Sequence, residues 1–161
     1  MSNIDLPQNF KIVSATAGCR TTNGGVTFDV IDLTDAIKVW IVAHFRQVAG
    51  HATTIQPVTG ISIASCATAI TFATRWWLNV DISATDTLAA QTAATSCACN
   101  VAAADQLMVI EIDPAEITAQ LGTYHCLGGT IASSGGATNF VSAVYYIQTA
   151  YPQATPATAI V

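Results

Sequence analysis

The chain has few charged residues. Of its 161 residues, five are Lys or Arg and ten are Asp or Glu, so 9% carry a charge, against roughly 25% in ordinary soluble domains. The hydrophobic fraction is 52% and the mean hydropathy is +0.48. The basic residues are set singly along the first 75 positions and the net charge is -5. Because phosphate binding requires clustered cations, we expect no nucleic-acid partner.

The chain also lacks a long hydrophobic run. A membrane-spanning helix requires about 20 consecutive apolar residues, whereas the longest stretch here, residues 37–45, is interrupted by Lys38 and His44. The N-terminal "MSNIDLPQNFK" lacks the basic and apolar regions of a secretory signal. We therefore expect that the chain is synthesised in the cytoplasm and does not associate with a membrane. The low charge then predicts a chain whose surface becomes covered by other subunits.

Catalytic signatures are missing as well. The sequence contains no GxSxG, HExxH, P-loop, GxGxxG or EF-hand pattern. Glu111 and Asp113 would lie on one face of a strand and could form an acid/base pair, but a solvated strand face is the commoner explanation. We expect no catalytic residue and no enzyme activity.

Cysteines are present in an odd number without the spacing of a disulfide framework or a CxxC pair. The five are Cys19, Cys66, Cys97, Cys99 and Cys126. "YHC" sets His125 beside a thiol and raises the alternative of a metal ligand or nucleophile, but neighbouring strand residues point to opposite faces. We expect five free thiols, no metal site and no cofactor.

Two-residue alternation of apolar side chains, broken by Gly, Asn, Thr and Ser, runs through most of the chain and is typical of strands and turns. It predicts an all-β fold, an antiparallel β-sandwich or jelly-roll-like barrel. The predicted strands include "VTFDVIDL" (26–33), "AITFAT" (69–74), "QLMVIEID" (106–113) and "NFVSAVYYIQ" (139–148). One short helix is predicted at "DPAEITAQLG", residues 113–122, because Asp113 can cap it, Pro114 suits its first turn and Gly122 ends it. The predicted organisation is an N-terminal arm (1–25), one domain (26–150) and an extended C-terminal tail (151–161).

The stretch "KVWIVAHFR" is apolar on both faces if it forms a strand. Such a strand lies between two sheets or beneath a neighbouring subunit. The following residues 47–51 predict a turn and residues 52–58 a returning strand, which would make a hairpin flanked by His44 and His51. Pro57 predicts an edge strand or a strand end.

Two aromatic pairs, in "RWW" and "VYYIQ", place one ring on each side of a strand. One ring of each pair is expected in the core and the other beneath a loop or a subunit, although a sugar-binding platform is an alternative. Trp, Tyr and Arg are enriched at interface hot spots. The candidate interface residues are Trp40, Arg75, Trp76, Trp77, Tyr145, Tyr146 and Tyr151.

The order of four segments resembles a known family. They are "VIDLTDAIKVWIVAHFRQVAGHATTIQPVTG", "ATAITFATRWWLNVDISATDTL", "LMVIEIDPAEI" and "FVSAVYYIQTAYP", which together span roughly residues 30 to 152. This succession resembles the small structural proteins encoded in the head-gene region of tailed double-stranded DNA bacteriophages. The shared motifs are structural patterns, so no functional residue is carried over.

The resemblance implies a virion component that is made in the host cytoplasm and assembled on the phage head. Its expected role is that of a capsid decoration (cement) protein, which binds the outer surface of the expanded head and stabilises it. The implied partners are the major capsid protein and further copies of the chain, in a homo-oligomer such as a trimer. A tail or neck component is the second hypothesis, and a carbohydrate-binding module or an enzyme is the third.

Overall fold

A computed structural model describes residues 10–48 and 50–150. The described chain forms thirteen strands in two antiparallel sheets, a single α-helix and a short 3₁₀ turn at Ile63–Ser65. Core side chains from both sheets form one continuous cluster. The predicted all-β sandwich is confirmed, and in the described residues neither sheet closes into a barrel.

Sheet A has seven strands in the order β1-β13-β5-β11-β8-β9, with β2 beside β13. Its strands are β1 (Phe10–Ser14), β2 (Arg20–Thr21), β5 (Ala36–Arg46), β8 (Arg75–Asn79), β9 (Ala89–Ala90), β11 (Asp105–Ile112) and β13 (Phe140–Thr149).

Sheet B has six strands in the order β10-β6-β12-β3, with β4 also paired to β12 and β7 to β6. Its strands are β3 (Val26–Thr27), β4 (Ile31–Asp32), β6 (Thr54–Gly60), β7 (Thr68–Ala69), β10 (Cys97–Ala98) and β12 (Cys126–Ile131).

The long central strands of sheet A follow the alternation of the sequence. In β5, Val39, Ile41, Ala43 and Phe45 are fully buried against sheet B, and the residues between them point away from it. β11 and β13 repeat this pattern on either side of β5. Because a strand places successive side chains on opposite faces, these three strands form the core with one face and leave the other free.

The predicted helix is confirmed as α1, Pro114–Leu121. The Asp113 side chain accepts a hydrogen bond from the backbone N–H of Ala115 at 2.9 Å, which satisfies one of the free donors of the first turn. At the other end, the N–H of Gly122 donates to the carbonyl of Thr118 at 3.0 Å. Ile117 is fully buried and attaches the helix to the core. No helix in the described residues is long and apolar enough to cross a membrane.

The predicted hairpin between residues 38–46 and 52–58 is wrong. β5 lies in sheet A between β13 and β11, whereas β6 lies in sheet B beside β12. The chain leaves sheet A at Gln47, whose buried side chain donates to the carbonyl of His51 and to the hydroxyl of Thr53, both at 3.2 Å. These contacts stabilise a crossing from one sheet to the other in place of a tight turn.

Pro57 lies within β6, where an edge or a strand end was predicted. One side of β6 pairs continuously with β12, but the other side meets β10 at Ile55 and β7 from Val58 onward. Pro57 falls in the gap between these short strands, and on this side its carbonyl accepts from the N–H of Ile70 at 3.0 Å. The missing N–H is tolerated there because Ile70 lies outside β7 and its carbonyl accepts from the Gln56 side chain.

The described part of the predicted N-terminal arm, residues 10–25, belongs to the sandwich. β1 and β2 both pair with β13, and Val13 and Ala15 are buried. Residues 1–9 and the predicted tail, 151–161, lie outside the described residues.

Candidate functional site

The outer face of sheet A, defined as the surface whose side chains point away from sheet B, is the main candidate site. The strand registers place outward-pointing residues of β1, β13, β5, β11 and β8 in continuous rows. The centre of this face consists of Ile12, Trp40, Val42, Trp77, Leu107, Val109, Val144 and Tyr146. This surface is apolar because the strands that form it carry apolar side chains on both faces, as the sequence of β5 predicts.

A shallow depression of about 310 Å³ lies within this centre. Its lining residues are Phe10, Trp40, Val42, Val109 and Tyr146. The rings of Phe10 and Trp40 have centroids 5.9 Å apart and an angle of 50° between their planes. This tilted arrangement is a favourable aromatic contact and leaves a concave apolar surface.

A small ion cluster interrupts the apolar centre at one edge. The Glu111 carboxylate contacts the Lys38 ammonium at 3.2 Å and also the Arg75 guanidinium. The Glu111 side chain is 13% exposed and that of Arg75 is 66% exposed. Glu111 therefore forms ion pairs with two cations, and Asp113 caps α1. The two carboxylates of the suggested acid/base pair thus make separate structural contacts.

Positive charge is concentrated on this face. Lys38, Arg46 and Arg75, three of the five basic residues, point outward from sheet A. Of the nine acidic residues in the described part of the chain, only Asp105 and Glu111 do so. The formal charge of the face is therefore +1 and that of the rest of the chain is -6, which together give the net charge of -5. An acidic partner surface would be attracted to this side of the molecule.

Four of the seven candidate interface residues lie on the outer face. Trp40, Trp77 and Tyr146 are within its apolar centre, and Arg75 lies at its rim. Aromatic rings and an exposed guanidinium on one surface form the usual composition of an interface hot spot.

The other candidates have different positions. Tyr145 is fully buried in the core, where its hydroxyl donates to the carbonyl of Asp29 at 2.9 Å. Trp76 faces sheet B, packs against the core and donates its indole N–H to the carbonyl of Thr92 at 2.9 Å. Neither ring is part of the outer face, and Tyr151 lies outside the described residues.

Two residues of the face were missed by sequence reasoning. Phe10 and Ile12 were assigned to the N-terminal arm, yet β1 pairs with β13 and brings them beside Tyr146 and Gln148. Ile12 is 49% exposed. The alternation in "FKIVS" is the only local signal for this strand, and five residues are too few to distinguish it from an arm.

The histidines and cysteines do not form a metal site in the described residues, where no group of three or more His, Cys, Asp or Glu side chains could hold an ion. His125 is exposed and its ring nitrogen contacts the carbonyl of Thr123 at 3.1 Å. All five cysteines are free thiols, of which Cys97, Cys99 and Cys126 are buried.

The buried thiols predict a loss of stability at alkaline pH. Burial raises the pKa of Cys97 from its ordinary value of 9.0 to about 11. Between these values the unfolded chain releases a proton that the folded chain keeps, so the free energy of unfolding falls as the pH rises through this window. The urea concentration at the midpoint of unfolding should therefore decrease progressively between pH 9 and about pH 11.

Cys97→Ala should make this decrease shallower, whereas Cys19→Ala, which removes an exposed thiol, should leave it unchanged. A urea midpoint that stays constant over the same pH window would contradict the prediction.

Comparison with known proteins gives no relative for this chain: a scan against family models, a search of the curated proteins and a search of the solved structures each found no match.

Proposed function

We propose that the chain is a structural protein of a tailed bacteriophage virion, and that it binds the outer surface of the head as a decoration (cement) protein. Sequence resemblance supplies the virion context. The observation that carries the docking role is the outer face of sheet A, which is apolar and aromatic. The loop after β8 covers it at Asn79, which is buried and donates to the carbonyl of Thr85, and the apolar centre lies beside that loop.

The size of this face suits a specific protein interface. Five strands about 4.8 Å apart, which present three to six outward residues each, give a surface of roughly 700 Å². A standard protein–protein interface buries about 800 Å² on each partner. A monomer rarely leaves an apolar patch beyond a few hundred Å² uncovered. A partner of matching area is therefore expected.

The chemistry of the face indicates what kind of partner surface fits. Trp40, Trp77 and Tyr146 supply the apolar contacts, and Arg75 and Arg46 supply positive charge at the rim. The complementary surface is flat and apolar at its centre with carboxylates around it. We propose that the major capsid protein presents this surface, and that the chain occupies it as a homo-oligomer such as a trimer.

Copy number tests this proposal. Particles purified from the phage that encodes the chain should contain it in hundreds of copies, comparable to the major capsid protein, when a virion gel is analysed by densitometry. A dozen copies or fewer would support the alternative of a tail or neck component. Absence from purified particles would contradict any virion role.

Carbohydrate binding is the second candidate function, and the observation that favours it is the set of aromatic rings, Trp40, Trp77 and Tyr146 with Phe10, on one face of a sandwich. Sugar rings stack on exposed aromatic side chains, and Gln148 and Arg75 on the same face could donate hydrogen bonds. The isolated protein should then be retained on a glycan array. Retention there, together with no binding to heads, would replace the decoration proposal.

A further inference from the structure

A loop on the opposite side of the sandwich forms an unusually close contact. Residues 61–67, here named the strap, connect β6 to β7 and include the 3₁₀ turn Ile63–Ser65. The strap backbone lies directly on Gly60. A Cβ atom at Gly60 would meet the carbonyl oxygen of Ser65 and would lie 2.8 Å from the Cα of Cys66. The approach is possible only because position 60 has no side chain.

This contact brings Cys66 of the strap to Cys126 of β12. Cys126 is paired with Gly60, and its Sγ points at the carbonyl oxygens of Gly60 at 3.1 Å and Ser62 at 3.2 Å. The Sγ of Cys66 lies 3.7 Å from the position of a Cβ on Gly128, which is two residues from Cys126 on the same face of β12. Both thiols therefore lie on the same face of sheet B beneath the strap, near enough for each to influence the pKa of the other.

We propose that Cys66 and Cys126 are an oxidisable dithiol pair whose disulfide ties the strap to β12. The other three thiols are placed differently. Cys19 is exposed, and Cys97 and Cys99 are two residues apart in one stretch of chain, with Cys99 held by Gln47 and Thr53. This inference is independent of what the outer face of sheet A binds.

The reaction is a thiol–disulfide exchange with a small organic disulfide such as oxidised glutathione. Cys66 is the more accessible of the two thiols. Its thiolate attacks one sulfur of glutathione disulfide, forms a mixed disulfide and releases one glutathione thiolate. Cys126 then loses its proton and attacks the Cys66 sulfur, which releases the second glutathione. Two protein thiols are oxidised and one glutathione disulfide is reduced to two thiols.

Burial delays this reaction without preventing it. Desolvation raises the pKa of Cys66 and also that of Cys126, where hydrogen bonds oppose the shift. Little thiolate is therefore present at neutral pH, and the pair stays reduced in a glutathione-reducing cytoplasm. Closure should follow transfer to an oxidising solution and should become faster as the pH rises.

Peptide mapping locates the bond. The experiment uses the full-length chain with Cys19→Ser, which removes the exposed thiol that could link two copies. After incubation with oxidised glutathione at about pH 9, above the ordinary thiol pKa of about 8.5 because burial reduces the thiolate fraction of this pair, the protein is digested with trypsin and a glutamate-specific protease. Cleavage after Arg46, Arg75, Glu111 and Glu116 separates the relevant cysteines. Cys66 is then in fragment 47–75, Cys126 in fragment 117–161, and Cys97 and Cys99 in fragment 76–111.

The expected product is fragment 47–75 linked to fragment 117–161, with a fall from four titratable thiols to two. The melting temperature should rise by about 5 to 10 °C, because the bond closes a long loop, and dithiothreitol should reverse this rise. Cys66→Ser should abolish both effects. Because Cys66 is only partly buried, this variant can be tested even if Cys126→Ser fails to fold.

Three results would overturn the inference: four thiols that persist after oxidation, a link that involves fragment 76–111, or a reaction that stops at the mixed disulfide with glutathione.

Discussion

Replacing Trp40 with alanine should weaken binding to phage heads by about 30-fold or more, which corresponds to the loss of one hot-spot side chain of about 2 kcal/mol. Trp40 lies on the central strand of sheet A and lines the apolar depression of the outer face. A partner docked on this face buries the indole ring, and alanine leaves the partner atoms opposite it without contacts. Binding is measured by cosedimentation of purified protein with heads that lack it.

Val101→Ser is the matched control. Val101 is 53% exposed and lies in the loop between β10 and β11, outside the apolar centre of the outer face. This variant should bind as the unmodified chain does. Circular dichroism checks that both variants keep their β-sheet signal, since Trp40 also contacts Phe10. Unchanged binding by a folded Trp40→Ala variant would remove this face from the proposed interface, and equal losses in both variants would show that binding is nonspecific.

Gly60→Val should lower the melting temperature by about 6 to 12 °C, because overpacking against backbone costs about 3 kcal/mol and each kcal/mol shifts the midpoint by about 2 to 4 °C in a chain of this size. A side chain at position 60 meets the backbone of Ser65 and Cys66, which cannot turn aside as a flexible side chain would. The strap must then lift from sheet B. The melting temperature is read by scanning calorimetry.

Gly24→Val provides the comparison, since a Cβ at Gly24 meets no atom within 4 Å. It should change the melting temperature by only a few degrees. Lifting the strap should also increase the rate at which a thiol reagent modifies Cys126, which is buried in the native chain. If Gly60→Val and Gly24→Val melt together and Cys126 remains equally protected, the strap is not held by this glycine contact.

Features with local causes could be predicted from the sequence. Helix α1 was located to the residue because its cap, its proline and its final glycine all lie within ten positions, 113–122. The long strands β5, β11 and β13 were also located, because their alternation extends over eight or more residues. Such elements depend on hydrogen bonds and side-chain periods that a short stretch of chain already contains.

Short strands were predicted less well. The stretch "AITFAT" contributes only its first residue to β7, yet Ile70 and Phe72 are buried in the core. Likewise the predicted strand "VTFDVIDL" is divided between β3 and β4. In these segments the alternation reflects which side chains are buried. Which residues belong to a strand depends instead on backbone hydrogen bonds to a distant part of the chain.

The sequence by itself determined that β5 is apolar on both sides, and hence that sheet A has a second apolar surface besides the core. It could not determine which strands lie beside β5, because an apolar strand can pair with many others and no local sequence pattern identifies its partners. The tertiary structure made that choice. By setting β13 and β11 beside β5 and sending β6 to the other sheet, it placed Trp40, Trp77 and Tyr146 on one face and directed Tyr145 and Trp76 inward, since register decides which side of a sheet each ring occupies.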